Sequence, residues 1–236
     1  MIVSWFSAGV SSAVATKLML DAIDKIVYIH IDDQGDDSLR FVADCEKWYG
    51  REIEISQSPY KSVENACLNA GGRGYIAGPA GAACTKWLKK RVRKEWEADK
   101  GDLGYVWGFD LDEKKRINRI KETMSNNQHY FPLYDKGFTK GDAHKILNKS
   151  GIKRPKMYDL GYSNNNCVGC VKGGKGYWNK IRKDFPAVFK QRAEMERKVG
   201  ASCINGTFLD ELDPSAGRME KPIVEECGIF CILESI

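Results

Sequence analysis

Short apolar runs that alternate inward and outward, each followed by a helical repeat, constrain this chain more than any other feature. Residues 2–7 form the first run, which breaks at the small-residue stretch Ser7-Ala8-Gly9-Val10-Ser11-Ser12 before residues 13–20 take up a helical pattern. In residues 25–33, Val27, Ile29 and Ile31 alternate with Tyr28 and His30, and residues 38–49 place Leu39, Val42, Cys45 and Tyr49 along one helical face. Further strands are expected over 51–56 and 103–109, with helices over Val63–Asn69, 85–98 and 114–124. Strands alternating with helices predict an α/β fold, a doubly wound and mainly parallel sheet.

From about residue 128 the pattern turns irregular. It holds Phe131-Pro132-Leu133, a short helix at Lys140–Lys149, a loop rich in Gly, Asn and Lys over 159–176, a helix at Pro186–Val199 and a tail with several cysteines. The expected organisation is a nucleotide-binding α/β core at 1–127 and a cysteine-bearing extension at 128–236 packed on the same domain. At 236 residues and 42% hydrophobic composition the chain can bury one good core.

No apolar run reaches the roughly eighteen residues of a membrane span, and Met1-Ile2-Val3-Ser4-Trp5 has neither the basic start nor the apolar stretch of a signal peptide. The expected compartment is the cytoplasm, with no membrane partner. Eight cysteines in that setting are expected as thiols or metal ligands rather than a disulfide framework. Cys45 and Cys67, at core-like helical spacings, are assigned to packing, and His129 and His144, which sit in no motif, are read as surface or packing residues. The 37 Lys and Arg against 32 Asp and Glu leave a net charge of +5, and the cations bunch at 86–94, 114–121 and 172–183. Such runs suit phosphate-bearing ligands, nucleotide or nucleic acid, and equally a solvated helix face.

The loop at 7–12 is the first feature with chemistry, because small residues let backbone N–H groups approach a ligand and the following helix N-terminus favours an anion. It matches neither the triphosphatase phosphate loop nor the dinucleotide fingerprint. Four further features follow in order: His30-Ile31-Asp32, Cys84-Thr85-Lys86, the segment Gly108 through Glu113 and Arg116, and Cys167-Val168-Gly169-Cys170. All but the last fall where a strand ends or a helix begins, which in an open α/β sheet is where ligands bind.

These features together resemble the phosphoadenosine phosphosulfate (PAPS) reductase family of the adenine-nucleotide α-hydrolase-like (PP-loop) superfamily, over roughly residues 2–231. The resemblance implies an adenine nucleotide at Ser7, Ala8, Gly9, Ser11 and Ser12, with His30 and Asp32 near the adenosine and Gly108, Glu113 and Arg116 in the family's Gly-x-x-x-x-Glu-x-x-Arg segment. Phe131-Pro132-Leu133 and Thr139-Lys140-x-Asp142 look like the family's Pro-Leu element and following helix. Glu226-Cys227-Gly228-Ile229 is similar to the reductase tail whose cysteine attacks the sulfur of the sulfonucleotide, which makes Cys227 the expected nucleophile. Three positions depart from the pattern: Ser11 stands where ATP-cleaving members carry Asp, Asp110 where reductases place Arg, and Phe230 where the tail has His.

In the cluster-bearing reductases a Cys-Cys pair precedes a distant Cys-x-x-Cys, and here Ala83-Cys84 precedes Cys167 and Cys170. Soft thiolates suit a 4Fe-4S cluster or, as the alternative, zinc. The fourth ligand is Cys203, Cys227 or Cys231, or the fourth iron stays open. Around the pair, Asn164-Asn165-Asn166 and the stretch from Lys172 to Trp178 form a basic, aromatic-ended loop able to clasp phosphate or a base, or simply to anchor the next helix.

The leading expectation is therefore an enzyme that reduces (phospho)adenosine phosphosulfate to sulfite, with a thioredoxin-type reductant as partner. An ATP-dependent sulfur transferase acting on a nucleic acid base is the alternative, and a non-catalytic nucleotide-binding module the third reading. Assembly into a homo-oligomer is compatible with each.

Overall fold

The computed structural model describes residues 1–79, 81–218 and 223. Its central sheet has five strands, all parallel, in the order β3-β2-β1-β6-β7. The elements run β1 (Ile2–Phe6), α1 (Val10–Leu18), β2 (Lys25–His30), α2 (Asp36–Tyr49), β3 (Glu54–Gln57), α3 (Val63–Asn69), a small ribbon of β4 (Ala77–Gly78) and β5 (Gly81–Ala82), a π-helical turn at Thr85–Lys90 continuing into α4 (Arg91–Glu97), β6 (Gly104–Val106), α5 (Lys114–Thr123) and β7 (Gln128–Tyr130). The expected doubly wound α/β architecture is present. The sheet takes its fifth strand from beyond residue 127, because Tyr105 and Val106 pair with His129 and Tyr130.

The middle strands are apolar on both sides because helices cover both faces. On one face Phe6, Tyr28, Phe41, Val42 and Tyr49 pack with Ala13, Val14 and Leu147, so that α1, α2 and the later helix Lys140–Lys149 form one layer. On the other, Val3, Val27, Leu103 and Tyr105 pack under Trp96 of α4 and Met124 at the end of α5. Cys45 is buried in the first layer and Cys67 in the cluster beside it, so both pack as expected.

The remaining helices are α6 (Pro132–Asp135), α7 (Lys140–Lys149), α8 (Lys156–Asp159), α9 (Lys175–Asp184) and α10 (Pro186–Val199). α7 begins with a capping box in which Thr139 and Asp142 satisfy each other's backbone N–H groups. α9 and α10 enclose Trp178, Ile181 and Ala193 together with Leu209 and Leu212. Among the described residues no helix is long and apolar enough to cross a membrane.

The strand order positions the site. The chain begins in the middle of the sheet at β1, moves outward through β2 and β3, then crosses to the opposite side of β1 to make β6. Strand order therefore reverses between β1 and β6, and the crevice at their carboxyl ends is the place where open α/β sheets bind ligands.

Candidate functional site

The loop after β1 enters that crevice. Ala8 adopts φ 55°, a left-handed conformation uncommon outside glycine, and its carbonyl accepts a 2.6 Å hydrogen bond from Asn165 Nδ2. The Ser7 N–H donates to Ser12 Oγ (3.1 Å) and the Val10 N–H to the Tyr158 hydroxyl (3.3 Å). Gly9 caps α1 without a side-chain bond. The first-turn amides of Ser11 and Ser12 have no acceptor within the helix, as geometry requires at any helix start, and they carry its partial positive charge. Gly108, after β6, lies against this turn so closely that a Cβ there would stand 2.7 Å from Ser12 Cα and Ser12 N. The sequence-predicted residues Ser7 to Ser12 and Gly108 thus meet at the switch point.

A cavity of 200 Å³ opens there, lined by Ser7, Gln34, Trp5, Trp107 and the cations Lys89, Lys90 and Arg93. His30 and Asp32 stand at the end of β2 outside its lining. They approach each other at 3.7 Å, and Asp32 accepts from Gln57 Nε2. Glu113 and Arg116 also lie outside it. Glu113 completes a capping box with Asp110 and pairs with Arg116, whose guanidinium stacks on Phe109 at 4.2 Å. Glu113 serves the short 3-10 turn Leu111–Glu113 that leads into α5, where a carboxylate at N3 answers the N-cap Asp110.

A second cavity, of 340 Å³, collects the cysteines. Cys84, Cys167 and Cys170 line it together with Lys89, Asn164, Asn166, Lys172, Tyr177 and Arg218. Cys84 precedes the π-helical turn, whereas Cys167 and Cys170 sit on a loop pinned from below. The Val168 N–H donates to the Asp33 carbonyl (2.8 Å), the Cys170 N–H to Tyr177 Oη (2.9 Å), and Tyr177 Oη to the Cys167 carbonyl (3.3 Å). Arg192, completely buried, pairs with Asp33 and donates through Nε to the Gly169 carbonyl (3.3 Å). Gly169 takes φ 71°, and a Cβ there would strike Val188 at 2.7 Å.

Burial raises the Cys84 thiol above its ordinary value and pushes Cys167 up to about 12, with Lys89 the main opposing influence on Cys167. Such thiols stay protonated at neutral pH unless a metal takes the proton's place. Among the described residues no three His, Cys, Asp or Glu side chains converge tightly enough to hold one metal ion. The three sulfurs that line this cavity are soft donors of the kind that iron–sulfur clusters and zinc take.

Cys203 does not line the cavity. It packs behind it with Cys67, and the fully buried Glu196 accepts the Cys203 and Leu209 N–H groups. Cys227 and Cys231 lie outside the described residues. Sequence reasoning missed the Asp33–Arg192 pair, Gln34 and Trp107, because each joins segments far apart in the chain and none belongs to a local motif.

The chain matches no family model and no curated protein.

Proposed function

We propose that this chain is an enzyme of sulfur chemistry that binds an adenine nucleotide across the loop at 7–12 and reduces (phospho)adenosine phosphosulfate to sulfite. The observation that carries this reading is Lys89, which lines both the crevice at the switch point and the cavity of Cys84, Cys167 and Cys170. A nucleotide in the crevice would direct its anionic end along that lysine toward the thiols.

In this reading the Ser11 and Ser12 amides donate to phosphate at the start of α1, Lys89, Lys90 and Arg93 neutralise it, and the indole faces of Trp5 and Trp107 suit the purine. Cys227 supplies the nucleophile. Arg218 forms part of the cysteine cavity, and Ile223 packs against the cluster that contains Ala8 and Val10.

The Cys227 thiolate attacks the sulfur of the sulfonucleotide, the bond from that sulfur to the phosphate oxygen breaks, and the nucleoside phosphate leaves. A thiolate of the thioredoxin-type reductant then attacks Cys227 Sγ, sulfite departs with the electron pair, and the reductant's second thiol resolves the mixed disulfide. Cys84, Cys167 and Cys170 would hold a 4Fe-4S cluster, which would supply a charged redox centre.

Two measurements test the reading. Protein purified without oxygen should hold about four irons and four sulfides per chain, and a colourless, iron-free protein removes the cluster. Sulfite release from adenosine phosphosulfate, with or without a 3′-phosphate, should be abolished in Cys227→Ser, and unchanged turnover in that variant removes the nucleophile.

A further inference from the structure

Charge on this chain is unevenly placed. Residues 85–97 carry six Lys or Arg and two Glu, and α5 carries five and one. Those two stretches hold a net +8, whereas the rest of the chain has 26 cations against 29 acids, a balance of −3. A net +5 conceals a strongly basic surface on a mildly acidic body.

The two stretches share one face of the sheet. Trp96 and Met124 pack on the same strand residues, and Arg93 Nη2 reaches Met124 Sδ at 3.9 Å. Three of the cations are neutralised by neighbours, Arg91 by Glu95, Arg93 by Glu97 and Arg116 by Glu113. Lys90, Lys94, Lys114, Lys115 and Arg119 are exposed and pair with no carboxylate among the described residues. Like charges held side by side repel one another, and a polyanion laid over them relieves that repulsion.

The surface also has little that suits a lipid or a protein partner. The exposed large apolar residues among those described are Met1, Leu39, Ile55 and Leu111, none of them on either helix. A helix that lies in a headgroup layer needs an apolar face, and a protein interface needs aromatic or aliphatic anchors. A regular row of phosphates needs only spaced cations.

We infer that the face formed by residues 85–97 and α5 binds the backbone of a nucleic acid and leads it past the crevice that Lys89, Lys90 and Arg93 line. The contacts are to phosphate and carry no sequence readout of their own. This inference is independent of the sulfonucleotide reading: that reading fails on sulfite release, this one on oligonucleotide binding.

The test is fluorescence anisotropy of the full chain with a labelled mixed-sequence oligonucleotide of about 20 nucleotides, single-stranded and duplex, over a salt series. The expected result is binding whose logarithmic salt slope on duplex is about −4.5, the value for five phosphates neutralised. Reversing Lys90, Lys94, Lys115 and Arg119 to Glu should weaken binding at least about tenfold and flatten that slope. A control that reverses the exposed Lys25, Lys47, Lys183 and Lys190 changes net charge equally and should keep most of the affinity. No binding at low salt overturns the inference, as does equal loss in the control or equal affinity for polyglutamate or phosphatidylserine vesicles. If circular dichroism shows the reversed variant to be unfolded, protection of Lys90, Lys94 and Lys115 from acetylation by the bound oligonucleotide in the wild-type chain decides the same question.

Discussion

The buried guanidinium of Arg192 on α10 is held on the carboxylate of Asp33 just after β2. One Asp33 oxygen takes Arg192 and the other accepts the Val63 N–H at 2.6 Å, while the Asp33 carbonyl receives Val168. This residue therefore ties the carboxyl end of a sheet strand, the start of α3 and the Cys-x-x-Cys loop to one point. Removing one partner of a buried pair leaves an uncompensated charge, so Arg192→Met should cost about 3 kcal/mol. Urea denaturation reads that cost, and alkylation followed by mass spectrometry should find Cys167 faster to react as its loop loosens. A stability change with Cys167 still protected would separate the pair from the loop.

Gly108 reports on the crevice itself. A methyl group there meets the Ser12 backbone, not a flexible side-chain end, so the first turn of α1 must move. Gly108→Ala should destabilise by about 2 kcal/mol, the usual cost of overpacking, and should weaken adenosine phosphosulfate binding in calorimetry at least tenfold if the Ser11 and Ser12 amides hold the phosphate. Undiminished affinity would place the nucleotide elsewhere.

The cysteine cavity makes a prediction about protons. Because burial holds the Cys84 and Cys167 thiols above their ordinary value, iron can bind only by displacing protons. Iron retention should therefore rise with pH, and Cys167→Ser should lose the iron that Cys45→Ser, altered on the far layer, keeps. Equal iron in both variants would take the metal away from this cavity.

Most of the frame was legible in the sequence because strand alternation and helical repeats are local patterns. The loop at 7–12 also followed from position, since it ends a strand and opens a helix, whereas the grouping of Cys84 with Cys167 and Cys170 came from the family resemblance and not from any local pattern. β7 was harder: Gln128, His129 and Tyr130 have no apolar alternation, and the strand's anchors are non-local, with Tyr105 stacked on His129 and the Trp107 indole N–H donating to its Nδ1. α9 was hidden by Lys175 and Gly176, although Trp178 and Ile181 give it a buried face. Glu113 and Arg116, singled out by their motif, also make a capping box with Asp110 and an ion pair with each other, local roles that the motif did not announce. The lining of the crevice by Gln34 and Trp107 could not be read, because no local signal says which side of a sheet edge a loop will turn toward.

His144 gives the chain an acid limit. Its ring is buried on α7, edge-on to Tyr158 at 4.6 Å, and neither ring nitrogen has a hydrogen-bond partner among the described residues. Burial, followed by the positive charges of Arg154 and Lys140, lowers its pKa to about 4. In the unfolded chain the ring titrates near 6.5, so between those values the unfolded state binds the extra proton and stability rises with pH. The contribution is full above about pH 6.5 and is lost as pH falls toward 4, a difference on the order of 3 kcal/mol. Carboxylates titrate over the same range, so the measurement is a comparison: urea midpoints of wild type and His144→Phe at pH 7 and pH 4.5. Phe keeps the contact with Tyr158 and cannot take a proton, so the variant should lose less stability on acidification than wild type. Parallel losses would mean that the ring is already solvated and carries no part of the acid response.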